Sequence, residues 1–248
     1  MKEDIFQLTK NFERIKAMGW IMSKRTGSTG VGYTFENLLN IEENSLETPD
    51  YNSIEIKTQR IKSNSYVGLF NASPDGDNLC EIERLRINYG YPDRLLKDSK
   101  VINCDVWANK LRNLGSKYKT KLQIDRDNQK IKLIILDNCL QIVDNEISWS
   151  FDLLKEKLFR KLNYLAFIKA DSKFIHDVEY FEYKELIIYK LKNFEKFINL
   201  IEEGLIKITF KIGVVRTGTK KGKTDNHGTG FSILRGNLTK LYDEIKDY

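Results

Sequence analysis

Pro49-Asp50-Tyr51-Asn52-Ser53-Ile54-Glu55-Ile56-Lys57 is the stretch on which the reading of this chain turns. Residues 53–58 have strand character, and successive side chains of a strand point to opposite faces. Glu55 and Lys57 then share one face, while Ile54 and Ile56 share the other and face a core. Asp50 stands just ahead of the strand, where a turn of the backbone would bring its carboxylate back toward Glu55. Two carboxylates on one face repel each other unless a cation sits between them. Hard oxygen ligands of this kind suit Mg²⁺, one ion or two, which keeps several waters and takes a substrate phosphate as a further ligand. Such a site fits metal-assisted phosphodiester hydrolysis, with Asp50 and Glu55 as ligands and Lys57 as a fixed positive charge facing the developing negative one. A lone Glu-x-Lys is common on solvent-exposed strands, so the motif gains its weight from its surroundings.

Upstream, residues 3–18 carry Ile5, Phe6, Leu8, Phe12, Ile15 and Met18 near helical spacing, which predicts an amphipathic helix. A glycine-rich loop, Arg25 to Gly32, precedes a short helix from Tyr33 to Leu39. That helix carries Glu36, a candidate further carboxylate for the metal site. The loop lacks the Gly-Lys-Ser/Thr ending of a phosphate cradle, and no nucleotide site is expected there. Downstream, 65–71 reads as the hairpin partner of the 53–58 strand. Strands at 121–126 and 130–136 flank the turn-forming Asp127-Asn128. A helix at 150–160 leads into a buried strand at 162–168, and another strand is expected at 174–184. A helix at 190–203 stops at Gly204. Strands at 205–215 and 229–234 flank a glycine- and lysine-rich loop, and a helix at 236–246 follows. The alternation is mixed α/β with no linker to cut at.

The 248 residues are long for one domain and short for two, so one globular unit with two lobes is the natural expectation. Hydrophobic residues make up 41% and charged residues 31%, enough for both a core and a solvated surface. No apolar run approaches the roughly 20 residues that span a bilayer. The start Met1-Lys2-Glu3-Asp4 is no signal peptide, so a cytoplasmic protein with no membrane partner is expected. Cys80, Cys104 and Cys139 are odd in number and far apart, which argues against structural zinc or a disulfide framework. The net charge of +6 permits a polyanion without demanding one. Basic residues crowd 117–121 and 216–223, whereas acids gather at 42–50 and 81–83.

Taken together, several segments resemble one known family. They are Arg25-Thr-Gly-Ser-Thr-Gly-Val-Gly-Tyr-Thr-Phe-Glu36-Asn-Leu-Leu39, Pro49-Asp50, Glu55-Ile-Lys57-Thr-Gln-Arg60, Leu69-Phe70 with Pro74, and Asp225-Asn226-His227-Gly228-Thr229-Gly230-Phe231. In this order and at comparable spacing, they look like the MvaI/BcnI group of type II restriction endonucleases, in the MutH-like subgroup of the PD-(D/E)xK nucleases. The resemblance implies a MutH-like α/β (α+β) fold, with a mixed central sheet flanked by helices and two lobes around a DNA cleft. A catalytic lobe over 1–155 and a recognition lobe over 156–248, sharing strands, would follow. It implies a Mg²⁺-dependent enzyme that cuts double-stranded DNA at a short specific sequence, acts as a monomer, and has a companion methyltransferase in the cell. Asp50, Glu55 and Lys57 take the metal site and attacking water, Glu36 is accessory, and Lys161 resembles a second lysine near the active site.

The C-terminal part is the expected reader of sequence, with a basic hairpin entering a groove. Arg216, Lys220, Lys221 and Lys223 are candidates for phosphates, with Arg25 in the glycine-rich loop. Lys211, Asp225, Asn226, His227, Ser232 and Arg235 are candidates for base edges. This chain departs from the family where an Asp-x-Arg pair and a later arginine are expected, since it has Thr209-Phe210-Lys211 and Ser232. The family's CC-centre-GG target therefore does not carry over. Two alternatives stay open: a MutH-type mismatch-repair nicking endonuclease, and a non-catalytic DNA-binding module.

Overall fold

The computed structural model describes residues 1–41, 48–76 and 78–246; the acidic residues Glu42, Glu43 and Glu47 lie outside that set. The chain folds as a mixed α+β protein with several sheets, in two compact units built from separated segments. Met1–Val67, Lys157–Asn193 and Arg235–Tyr248 form the first unit, and Gly68–Glu156 with Phe194–Leu234 form the second. Both units are therefore discontinuous in sequence. The reason lies in one pairing: Glu55–Arg60 runs parallel to Tyr164–Ile175, with Leu165 opposite Glu55 and Phe167 opposite Lys57. Parallel neighbours need a crossover connection, and here the whole first segment of the second unit is contained in it.

The first unit's sheet runs Ile21–Met22, Val178–Leu191, Tyr164–Ile175, Glu55–Arg60, and Tyr242–Ile245 also pairs with Val178–Leu191. Helix Lys2–Lys16 covers it, burying Ile5, Leu8, Phe12 and Ile15 at helical spacing. Those side chains meet Ile54, Ile56, Phe35, Ala166, Ile168, Phe181 and Tyr183 in one cluster. Phe6 and Met18, expected on the same face, are instead exposed. Leu165, Ala166, Phe167 and Ile168 are all fully or almost fully buried, as expected of a strand that has a parallel partner and is covered on both faces.

Four expectations need correction. Residues Tyr66–Asn71 are not the hairpin partner of Glu55–Arg60; they join a sheet ordered Tyr66–Asn71, Thr224–Leu234, Ile206–Val214, Lys100–Val106, Tyr91–Pro92. The apolar run 165–168 takes that place. The strands expected at 162–168 and 174–184 are one long hairpin, Tyr164–Ile175 and Val178–Leu191, closed by His176 and Asp177. Both turn residues have positive φ, 46° and 62°, which matches the right-handed twist of the flanking strands. The helix at 190–203 is confined to Phe194–Glu202, because the strand before it runs on to Leu191. The helix expected at 236–246 is one short turn, Leu238–Leu241, followed by strand Tyr242–Ile245, since pairing with Ile188–Leu191 overrides local preference.

In the second unit, a further sheet places Lys130–Leu136 between Ser148–Ser150 and Tyr118–Asp125, with Arg112–Leu114 beyond and Ile142–Asp144 also on Lys130–Leu136. Phe70, Phe197, Phe231, Phe210 and Trp149 pack as an aromatic core. The Trp149 indole N–H donates to the Ala72 carbonyl at 3.0 Å. Helix Phe194–Glu202 ends as expected: Gly204, at φ 73°, donates to Ile201 O while Leu205 donates to Leu200 O. No helix among the described residues is long and apolar enough to cross a membrane.

Candidate active site

A tight turn aims Asp50. Tyr51 and Ile54 exchange backbone hydrogen bonds, at 3.0 and 2.8 Å, around Asn52 in the left-handed region at φ 50°. The side chains of Asn52 and Ser53 both donate to Asp4, each at 2.9 Å, fixing the turn against the first helix. The chain therefore doubles back before the strand begins at Glu55. Asp50 Oδ2 accepts the Ile56 backbone N–H at 3.0 Å. The first carboxylate is thus pinned to the strand that carries the second, as the sequence reading anticipated.

Glu55 has 0% of its side chain exposed. Its Oε1 accepts from Lys57 Nζ at 2.5 Å and lies 3.4 Å from Lys161 Nζ at the end of helix Phe151–Leu162. Its Oε2 is buried and has no hydrogen-bond partner. Burial pushes the carboxyl above the usual range; Lys57 and Lys161 counter this, while Asp50 reinforces it. Two ammonium groups thus crowd one oxygen, and the other carries an unmet demand for positive charge.

Glu36 lies on helix Gly30–Leu38, four residues after Gly32. A Cβ added to Gly32 would meet Thr58 Oγ1 at 3.1 Å and Glu36 Oε1 at 3.6 Å. Thr58 shares a face with Ile54 and Ile56, opposite Glu55 and Lys57. Arg60 shares that face by alternation, and sequence reasoning gave it no role. Its guanidinium grips buried Glu179 through two bonds of 2.6 Å and reaches the carbonyls of Gly27 and Ser28 at 3.0 and 3.1 Å. This fork ties the metal-site strand to the glycine-rich loop. A cation on an otherwise apolar strand face was the available signal. Within that loop Arg25 stacks on the Tyr33 ring, 3.8 Å from its centroid. Arg235 also belongs to this unit, donating to the carbonyls of Arg60 and Ile61.

The remaining DNA-contact candidates lie in the second unit, on strands Ile206–Val214 and Thr224–Leu234 and the loop between them. Lys211, Lys220, Lys221, Lys223 and Asn226 are exposed, whereas Asp225 and Ser232 are half-buried. Asn226 Oδ1 accepts the Gly228 N–H at 3.0 Å; the His227 side chain lies outside the described residues. Arg216 is paired with Asp93 at 2.9 Å, and it holds that carboxyl well below the usual range together with two backbone N–H donors. Thr209 and Lys207 both donate at 2.6 Å to Asp105 on the neighbouring strand.

The sequence pattern of the MvaI/BcnI restriction endonuclease family matches residues 9–242. The chain is similar to the solved complex of restriction endonuclease MvaI with its cognate DNA substrate: 34% identity, 99% of this chain and 98% of that one covered, TM-score 0.89. It is similar to MvaI in the absence of DNA at the same identity and coverage, with a TM-score of 0.67. No curated protein matches the sequence.

Proposed function

The chain belongs to the MvaI/BcnI restriction endonuclease family, and from that premise we propose how its own residues make the cut. It is a type II site-specific deoxyribonuclease. The proposal concerns the metal, the residues and their roles. Asp50 and Glu55 hold Mg²⁺; the observation that carries this is Glu55 Oε2, a fully buried acceptor without a donor, on a strand to which Asp50 is pinned. Among the described residues no group of three His, Cys, Asp or Glu side chains could hold a metal. Mg²⁺ commonly uses one or two carboxylates and leaves its other positions to water and phosphate. When bound, the ion supplies Lewis-acid polarisation of the phosphate and a lowered pKa for a coordinated water.

Lys57, held on Glu55 Oε1, orients the attacking water and faces the charge that grows on the phosphoryl oxygens. The new bond joins water oxygen to phosphorus as the bond to a deoxyribose oxygen breaks, and that leaving oxygen takes up a proton. Lys161 offsets the Glu55 charge from the second side. Glu36, on the helix that follows the glycine-rich loop, is the accessory carboxylate, directly or through water. Lys220, Lys221 and Lys223 contact phosphates, which gives salt-dependent affinity, and Lys211, Asp225, Asn226, His227 and Ser232 are the candidates for base edges. Arg216 reaches a phosphate only if it releases or shares Asp93. Double-stranded DNA is the proposed substrate of a monomeric enzyme.

The test is digestion of unmethylated phage DNA with Mg²⁺, beside an Asp50→Ala/Lys57→Ala control and an EDTA control. Discrete fragments absent from both controls are expected, and their mapped ends give the target. Cleavage that survives the double variant would overturn the residue assignment. Nicks confined to one strand would favour a repair-type enzyme.

A further inference from the structure

We propose that Asp105 is a specificity-determining residue: its carboxylate, held in place by Thr209 and Lys207, accepts the exocyclic amino group of a cytosine in the target sequence. The inference rests on the reading of strands Ile206–Val214 and Thr224–Leu234 as the sequence reader. It adds a residue from the neighbouring strand Lys100–Val106 that no motif singled out.

The first observation is which residues share a face. Ile208 pairs with Val106 and Phe231, and Ile212 with Ile102; all are buried on the core side of the sheet. Alternation turns the residues between them the other way. That second face carries Lys207, Thr209 and Lys211 on one strand, Asn103 and Asp105 on the next, and Ser232 on the opposite neighbour. Lys211 and Ser232 are candidates for base edges, so Asp105 projects beside them from the same face of the same unit.

The second observation is how the carboxylate is held. Thr209 stands directly opposite Asp105. Its hydroxyl donates to Oδ1 at 2.6 Å, and Lys207 Nζ donates to Oδ2 at 2.6 Å. Both oxygens are fixed in direction, yet 33% of the side chain is still exposed. Burial would raise the carboxyl pKa, but Lys207 and Thr209 outweigh it, and the group is an ionised acceptor at neutral pH. Each oxygen keeps a second lone pair for one more donor. On the other side of Thr209 the paired residue is Gly230, which has no side chain to wall the spot off. Beyond it lies exposed Asn71, whose Oδ1 is 3.2 Å from where a Gly230 Cβ would stand.

The choice of base follows from what each one shows in the major groove. Guanine offers only acceptors, thymine an acceptor and a methyl group, and adenine sets an acceptor beside its amino donor. Cytosine alone offers a donor with no acceptor of its own. An ionised carboxylate can only accept, and one that is held by two neighbours cannot turn away from a repelling oxygen or nitrogen. Asp105 therefore favours cytosine over the other three.

The test maps the target of the wild-type enzyme and then replaces each target cytosine in turn by 2-pyrimidinone, which lacks only the amino group. Single-turnover cleavage of these duplexes is compared for wild type and Asp105→Ala. The expected result is one cytosine whose replacement slows wild type about tenfold and slows Asp105→Ala no further, while the other replacements cost both enzymes alike. A merely structural Asp105 would slow every duplex by one factor and leave the pattern unchanged, which overturns the proposal, as does a target without cytosine. If Asp105→Ala fails to fold, Thr209→Val keeps the branched shape and removes one holding bond. It should lose sensitivity at a single cytosine, and an unchanged pattern overturns the proposal. Lys211→Ala separates this inference from the reading beneath it. Base preferences equal to wild type at every position in both Lys211→Ala and Asp105→Ala would sink the strands as sequence reader, whereas a change in Lys211→Ala alone would sink Asp105 only.

Discussion

Glu55 in the first unit and Asp144 in the second are both carboxylates taken out of water, and they end in opposite states. Asp144 has 3% of its side chain exposed, yet Arg84 and the Glu146 N–H more than offset burial, and its pKa falls below the ordinary value. Glu55 has two lysines, but burial and the nearby Asp50 outweigh them, and its pKa rises. The Asp144 network is complete within the chain. Glu55 is left short of positive charge at the place where an outside cation would supply it. The two carboxylates thus differ in whether their charge balance closes within the chain.

The strongest test of that contrast is Lys57→Ala, which should lower the single-turnover cleavage rate by about 10³-fold. A loss under tenfold would make the Glu55–Lys57 pair as structural as the Arg84–Asp144 pair. Next in size is Asp144→Asn, expected to cost about 2 kcal/mol in chemical denaturation by removing one charge-assisted bond of Arg84, which keeps Glu81. The pH window follows from the sign of the shift: the Asp144 contribution is present above its unfolded pKa near 3.9 and is lost as pH falls through the lowered folded value. Denaturation curves in EDTA between about pH 3 and pH 7 should therefore converge for wild type and Asp144→Asn at the acid end. Exposed charges should behave differently from both: replacing Lys220, Lys221 and Lys223 by Ala should leave stability alone and reduce the slope of log affinity against log salt by about 3. An unchanged slope would remove those lysines from the DNA contact. The smallest effect is on metal-free stability. Glu55→Gln should raise it by about 1 kcal/mol near neutral pH, because a raised pKa means the native state is most favoured below the unfolded value and loses that advantage as pH rises through the folded one. A destabilised Glu55→Gln would mean that the lysines satisfy Glu55 after all.

What could be read in the sequence follows the same division. Glu55 and Lys57 alternate with Ile54 and Ile56, and the period of 2 is a local property that survives folding. The first helix was legible for the same reason, at period 3.6. Lys161 was reached only through family resemblance, because its 106 positions of separation from Glu55 (161 minus 55) leave no local mark. Helix Asn78–Tyr89 and strand Lys100–Val106 went unassigned. The helix buries Arg86 beside Ile82 and Leu85, so its inner face does not read as apolar. The strand's partner is Ile206–Val214, about a hundred residues away. Strand Tyr242–Ile245 was lost inside an expected helix, since only the pairing of Leu191 with Tyr242 turns that segment into a strand.

The turn that aims Asp50 has a consequence for the protein in a crowded solution. Among the described residues Glu55–Arg60 ends its sheet, with Tyr164–Ile175 on one side only. Strands in that position offer free amides to any passing chain and are a recurrent route to aggregation. Asp50 already occupies the Ile56 amide, and Lys57 and Arg60 put charge along the same strand. The carboxylate assigned to the metal thus also works as a cover for an open edge. Asp50→Ala protein, made as an inactive control, should be handled as a variant prone to self-association, and light scattering beside the cleavage assay would show it.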